Sequence, residues 1–339
     1  MLKKGLVILG AGLLIAPVLA QQAREGGRML SRECRREVVQ LCGFNRGEMR
    51  ECLREKKDQL SQPCKGEMMQ AMARRMQQSD TSTETTARAR TIAYGSNGAQ
   101  KLDLYQPESA RPARGYPIAV FVHGGGWSKG SKAMVQQKPD FFNAQGWAFA
   151  SVGYRLLPEA PVEQQAADVA AAVARLKRDA ATLGIDASRI VLMGHSAGAH
   201  LSALVGTDPQ WLGSNMTDLA GVILLDGAAY DVAEQMRQGS FMTKRTYEPA
   251  FGTEPARQAR LSPTLHAAAP NAPRWLILYV SRRADATAQS NALGRALQQA
   301  GAKVQLEGVD GESHMTINRE LGVPDNPQTR SVEAFLKSL

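Results

Sequence analysis

Cysteine is scarce in this 339-residue chain and missing from most of it. The four residues, Cys34, Cys42, Cys52 and Cys64, crowd into one short segment. Everything beyond residue 64 must therefore be held by a hydrophobic core and not by disulfides. Histidine is nearly as rare, with five residues (His123, His195, His200, His266 and His314), so a catalytic imidazole has few candidates. Aromatic side chains make up 6% of the chain and do not interleave with the basic residues. That argues against a stacking surface for nucleic acid. Long apolar runs are absent: the stretch from Leu6 to Leu19 is shorter than the roughly 20 residues a membrane-spanning helix requires. Neither a phosphate-binding P-loop nor a dinucleotide fingerprint occurs, and no cysteine or histidine spacing suits zinc, so neither a cofactor nor a metal is expected.

What is present begins with Met1-Leu-Lys-Lys4, the apolar stretch and Val18-Leu-Ala20, which read as a secretory signal peptide over residues 1–20, cleaved after Ala20. Export to the periplasm or beyond is expected, and an even set of clustered cysteines suits an oxidising compartment. Ser31 is placed to cap a helix running to Cys42, and Glu48–Lys57 and Pro63–Gln77 also have helical composition. Residues 21–76 thus read as a small disulfide-linked helical module, and the polar stretch 77–90 as a flexible linker. The net charge of +9 is uneven, because residues 21–90 carry 15 basic and 10 acidic side chains. A solvated helix face accounts for this excess; a weak contact between the basic module and an anionic envelope surface is the functional alternative.

Residues 91–339 have a different texture. Eight strand-like apolar runs begin near Ile92, Leu102, Ile118, Ala148, Ile190, Val222, Leu276 and Val304, with helical patterns between most of them from the third onward. A hairpin followed by βα alternation implies an α/β fold with a mostly parallel eight-stranded sheet and helices on both faces. Residues 230–270 look irregular, and either a partial lid or surface packing would suit them.

Two motifs sit at strand ends. The run Arg189–Met193 leads into Gly194-His195-Ser196-Ala197-Gly198 and then into small, helix-compatible residues. A serine at the apex of such a strand–turn–helix presents its hydroxyl above the sheet, which makes Ser196 a candidate nucleophile. The strand Pro117–Val122 runs into His123-Gly124-Gly125-Gly126-Trp127. The N–H groups of Gly124, Gly125 and Gly126, with that of Ala197, are candidates for an oxyanion hole.

With Tyr154-Arg-Leu-Leu-Pro-Glu159 as a third motif in the expected order, residues from about 90 to 339 resemble the α/β-hydrolases of the esterase/lipase group that carry a His-Gly-Gly-Gly signature. Hormone-sensitive-lipase-like members usually have Asp-Ser-Ala-Gly at the elbow. His195 and the run Ser-Ala-Gly-Ala-His200 are more similar to feruloyl-esterase-type hydrolases and kynurenine formamidases. The module, with Cys-x7-Cys-x9-Cys-Leu and a later Leu-Ser-Gln-Pro-Cys64, resembles the cysteine-rich repeat of Golgi apparatus proteins. Nested pairing, Cys34 with Cys64 and Cys42 with Cys52, would suit an antiparallel hairpin; all three pairings stay open.

In the fold so implied, serine, acid and histidine follow one another along the chain. His314 comes after the last strand-like run, where the base is expected, whereas His266 precedes any suitable acid strand and reads as structural. Asp285, in Ser281-Arg-Arg-Ala-Asp285 beyond the run Trp275–Val280, is the expected acid. Asp226 and Asp231 follow the run Gly221–Leu225, and Asp231 reads as a loop brace. The catalytic expectation is Ser196, Asp285 and His314, acting through an acyl-enzyme on a small-molecule carboxylic ester of modest acyl size. Hydrolysis of an N-formylkynurenine-type amide and a catalytically inert exported binding protein are the alternatives. Natural substrate and oligomeric state are left open.

Overall fold

The computed structural model describes residues 31–42, 52–53, 56–69, 87–239 and 241–339. The chain divides into two compact units, residues 1–82 and residues 83–339. The expected signal peptide, and the linker as far as residue 86, lie outside the described residues.

In the first unit, helix α1 (Arg32–Cys42) starts where the Ser31 hydroxyl accepts the Cys34 N–H at 3.1 Å, the expected cap. Disulfides join Cys34 to Cys64 and Cys42 to Cys52, the nested arrangement. Val38 and Leu60 bury themselves against Cys34 and Cys64, with Leu41, Leu53 and Met68 around them. So small an apolar cluster cannot stabilise a fold by itself, and the crosslinks, which restrict the unfolded chain, supply what it lacks.

The second unit is built on one eight-stranded sheet. Its strands are β1 (Arg90–Ala93), β2 (Lys101–Tyr105), β3 (Tyr116–Val122), β4 (Ala148–Val152), β5 (Ile185–His195), β6 (Leu219–Leu225), β7 (Arg274–Val280) and β8 (Lys303–Val309). They lie in the order β1-β2-β4-β3-β5-β6-β7-β8. β2 runs antiparallel to both β1 and β4, and the remaining pairs are parallel. Residues 87–90, assigned to the linker by sequence, belong to this unit: the Ala87 N–H donates to Asp140, and Arg90 opens β1.

β3 is buried along its whole length, which is why Tyr-Pro-Ile-Ala-Val-Phe-Val reads as a continuous apolar run without alternation. Successive residues still face opposite ways. Val120 and Leu192 pack beneath α3 (Val162–Arg178) and α4 (Ala197–Thr207), among Val169, Val173, Leu201 and Leu204. Phe121 and Met193 pack against α2 (Lys138–Ala144) and the C-terminal helix, among Phe141, Phe142, Val332 and Phe335. Both faces being covered, the functional groups collect beyond the C-terminal ends of the parallel strands, where connecting loops leave backbone and side chains free for ligands.

Residues 230–270 are more ordered than their sequence suggests. They form three short helices, α5 (Val232–Gln238), α6 (Phe241–Phe251) and α7 (Pro255–Arg260). Asp231 braces this segment as expected, its carboxylate accepting the Glu234 N–H at 3.0 Å and so capping α5.

Candidate active site

Ser196 stands between β5 and α4 with φ +56° and ψ −121°, a strained conformation for a residue bearing a Cβ. The turn is tight because its two glycines are in near contact. A Cβ on Gly194 would run into the Gly198 carbonyl, and one on Gly198 into the carbonyl of Val122 at the end of β3. The turn is held from the side by the Ser196 N–H, which donates to the Leu225 carbonyl at 3.1 Å. The hydroxyl is thereby aimed away from the sheet.

His314 comes from the loop after β8, and its Nε2 lies 3.0 Å from Ser196 Oγ. The residue before the nucleophile fixes that loop: His195 Nε2–H donates to the backbone carbonyl of His314 at 2.7 Å. Burial pushes His195 down to about 3, helped by the neighbouring His314, so its ring is neutral and can keep this donor role. The variable position of the elbow is therefore a strut for the base.

Asp285 does not take the place that sequence reasoning gave it. Its carboxylate, at the half-exposed first turn of α8 (Ala284–Gln299), is held by Arg283 Nη2 at 2.9 Å. The position on His314 Nδ1 belongs to Asp226, whose Oδ2 lies 2.7 Å away. Asp226 follows β6 directly and is fully buried, with φ +44°. Its Oδ1 accepts the Val280 N–H at 2.9 Å, and its Oδ2 also accepts Arg283 Nη1 at 2.5 Å. Burial alone would favour the protonated acid. The hydrogen bonds from His314 and Val280, together with the Arg283 charge, outweigh it and hold the carboxyl below its ordinary range. The 2.8 Å approach of Arg283 Nη1 to His314 Nδ1 brings two donors to one oxygen and is not a bond between them.

The physical reason for the correction lies at the end of β7, where the sequence places two arginines in succession and a cation points inward. Two signals could have located Asp226: a single carboxylate ending the apolar run Val222–Leu225, and a nearby arginine able to neutralise it.

The glycine loop lies against the nucleophile. A Cβ on Gly124 would stand 2.8 Å from the His195 carbonyl and 3.0 Å from Ser196 Cβ. Gly125 has φ +131°, a region closed to side chains. Among the described residues, no protein acceptor meets the N–H of Gly125 or Gly126, and Ala197, the first residue of α4, has no intrahelical partner for its own. The rest of the loop is pinned. The Tyr154 hydroxyl donates to the His123 carbonyl at 2.8 Å while its ring stacks on His123 at 4.4 Å. The Trp127 carbonyl accepts both the Leu157 N–H and Gln165 Nε2 at 2.9 Å. The third motif thus anchors the glycine loop.

The other histidines have structural partners. His200 is fully buried, accepts Trp127 Nε1–H at 3.4 Å and donates to the Leu261 carbonyl at 2.8 Å; burial pushes it down to about 4. His266 reaches the Arg260 carbonyl. Over the loop lies α6, whose Tyr247 and Phe251 rings meet Trp127 at 5.3 and 4.7 Å. Such a site can generate a nucleophilic oxygen and place N–H donors beside it.

The chain is similar to known hydrolases. The BD-FAE family matches residues 102–243. Esterase LipC of Mycobacterium tuberculosis is 31% identical over 207 residues, covering 57% of this chain and 50% of that protein. Kynurenine formamidase of Danio rerio is 28% identical over 255 residues, covering 70% and 80%. The chain thus spans about half the length of LipC and most of that of the formamidase. Among solved structures, a thermophilic esterase of Thermogutta terrifontis is 26% identical, with a TM-score of 0.61 over 74% of this chain and 91% of that one. The same esterase has been solved with propionate bound, also at 26% identity, with a TM-score of 0.59. The fold is that of an α/β-hydrolase, and the chain is similar to these esterases and to kynurenine formamidase.

Proposed function

We propose that this chain is an exported serine hydrolase that cleaves carboxylic esters of modest acyl size, with Ser196 as nucleophile, His314 as general base and Asp226 as the acid that orients it. The observation that carries this reading is the unbroken chain from Ser196 Oγ to His314 Nε2 at 3.0 Å and from His314 Nδ1 to Asp226 at 2.7 Å. As Ser196 Oγ attacks the ester carbonyl, its proton passes to His314 Nε2 and the carbonyl π electrons collect on oxygen. The N–H groups of Gly125, Gly126 and Ala197 face that oxyanion, each contributing roughly 3 kcal/mol to the transition state. Collapse expels the alcohol, which takes the proton from His314, and water then repeats the sequence to release the acid. Modest acyl size is supported by the packing of Tyr247 and Phe251 onto Trp127 beside the glycine loop, and by the propionate held by the Thermogutta relative.

Amide hydrolysis of an N-formylkynurenine type is the second reading, favoured by the elbow run Ser-Ala-Gly-Ala-His200 and the extent of the match to the formamidase. Assaying the purified protein on nitrophenyl acetate and butyrate, a feruloyl ester and N-formylkynurenine separates the two. Turnover of the short esters that Ser196→Ala abolishes is expected. Exclusive turnover of N-formylkynurenine would favour the second reading, and no turnover of any of them would overturn both.

A further inference from the structure

Arg283 lies just beyond β7, where the sequence led us to expect the catalytic acid, and it points a cation at the acid–base pair. One guanidinium nitrogen reaches the buried Asp226 Oδ2 at 2.5 Å and another reaches Asp285 Oδ2 at 2.9 Å. Its backbone is fixed as well, the Arg283 N–H donating to the Val280 carbonyl and its own carbonyl accepting the Thr287 N–H, both at 2.9 Å. The side chain is thus a rigid bridge between a buried and a half-exposed carboxylate. Its planar fork suits this task in a way that a lysine ammonium does not.

We propose that Arg283 is a positioning residue for the acid–base pair: by bridging two carboxylates it holds the Asp226 carboxylate on His314 Nδ1. The proposal rests on the assignment of His314 and Asp226 made above. Asp226 Oδ2 serves two donors, and Oδ1 is fixed by Val280, so the three N–H groups together set the carboxylate plane.

Other side chains near the pair do not hold the carboxylate. His195, its ring tilted against that of His314 at 4.7 Å, is neutral and donates to the His314 carbonyl. Tyr230 and Tyr247, near Asp226 and Arg283, are pushed upward by burial and stay uncharged. Glu312, two residues before the base, accepts from Gln328. Lys138, which burial pushes down to about 7, is turned toward the carbonyls of Val135 and Asn318 and is common to every variant compared.

The test is kcat and KM on nitrophenyl butyrate for wild type, Arg283→Met and Arg283→Lys, each normalised to active sites titrated with a fluorophosphonate. The tautomer of the substrate-free His314 ring, read by 15N NMR and assigned by its loss in His314→Ala, accompanies it. Arg283→Met should lower kcat per active site about tenfold, with KM within about threefold, and should mix the two tautomers of the ring. Arg283→Lys should leave kcat low, because a point charge cannot bridge both carboxylates. A purely structural arginine would lower the melting temperature and the titrated fraction without lowering kcat per titrated site or changing the tautomer, and that result would overturn the proposal. If Arg283→Met does not fold, Arg283→Gln carries the same comparison. If no ester is hydrolysed even by wild type, the proposed function fails, while the NMR tautomer still decides the role of Arg283.

Discussion

At the scale of single residues, the site divides its work among side chains that follow different strands of the sheet. Ser196 gets its exposure from a strained turn, and His314 its place from the His195 strut. The Asp226 carboxylate is ionised in a fully buried position because three N–H groups surround it. That arrangement separates two acids that the sequence presents as equals. Asp226→Asn should lower kcat on nitrophenyl butyrate by about 10³- to 10⁴-fold, since an amide there leaves the imidazole in the wrong tautomer. Asp285→Asn should stay within about tenfold of wild type, because it touches the pair only through Arg283. The reverse ranking in steady-state kinetics would return Asp285 to the role the sequence first suggested. Asp226 escaped sequence reasoning because burial and ionisation conflict: a carboxylate closing an apolar strand looks like its first solvent-facing residue until the arginine that neutralises it is found in space.

At the scale of elements, legibility follows from how local the causes are. The central strands were readable because β3, β4, β6 and β7 are mostly apolar runs that two covered faces of the sheet demand, and the elbow was readable because only glycine fits where Gly194 and Gly198 meet. Helices α5 to α7 were not, because Gly239, Pro249 and Gly252 break the 3.6-residue pattern into pieces too short to recognise. These pieces are stable through tertiary contacts: Phe251 is buried against Trp127, and Arg257 pairs with Glu163 at 2.7 Å. Because α6 brings aromatic rings over the glycine loop and provides no long apolar lid, nitrophenyl acetate and butyrate should be turned over at least about tenfold faster than the palmitate. Preference for palmitate, with activation at an interface, would show that α6 moves aside as a lid.

At the scale of the whole molecule, the two units answer to different conditions. The second contains no cysteine, so a chain beginning at Thr83 should fold and keep kcat within about threefold of the full-length protein, and thiol reduction should leave turnover of nitrophenyl butyrate unchanged. Loss of activity on reduction would tie the cysteine module to catalysis. Acid acts on the second unit through its buried histidines. His195 and His200 have folded-state values of about 3 and about 4, whereas the unfolded chain protonates its histidines near about 6.5. The unfolded state therefore binds more protons between these limits, and stability is complete above about pH 6.5 and declines as the pH falls toward 4, by at most about 1.4 kcal/mol per pH unit for each histidine. Melting temperatures measured from pH 7 to pH 4.5 should fall accordingly, and replacing His200 with glutamine should flatten the decline if the variant folds.

The central claim, that one serine in this chain carries the chemistry, is tested most directly by covalent labelling. Incubation with excess fluorophosphonate followed by mass spectrometry should add one phosphonyl group per chain, located on the peptide that contains Ser196, with turnover lost in proportion to labelling. Labelling should fall to background in Ser196→Ala. Full hydrolytic activity in a protein labelled to completion, or an adduct on any other residue that accounts for the lost activity, would contradict the account.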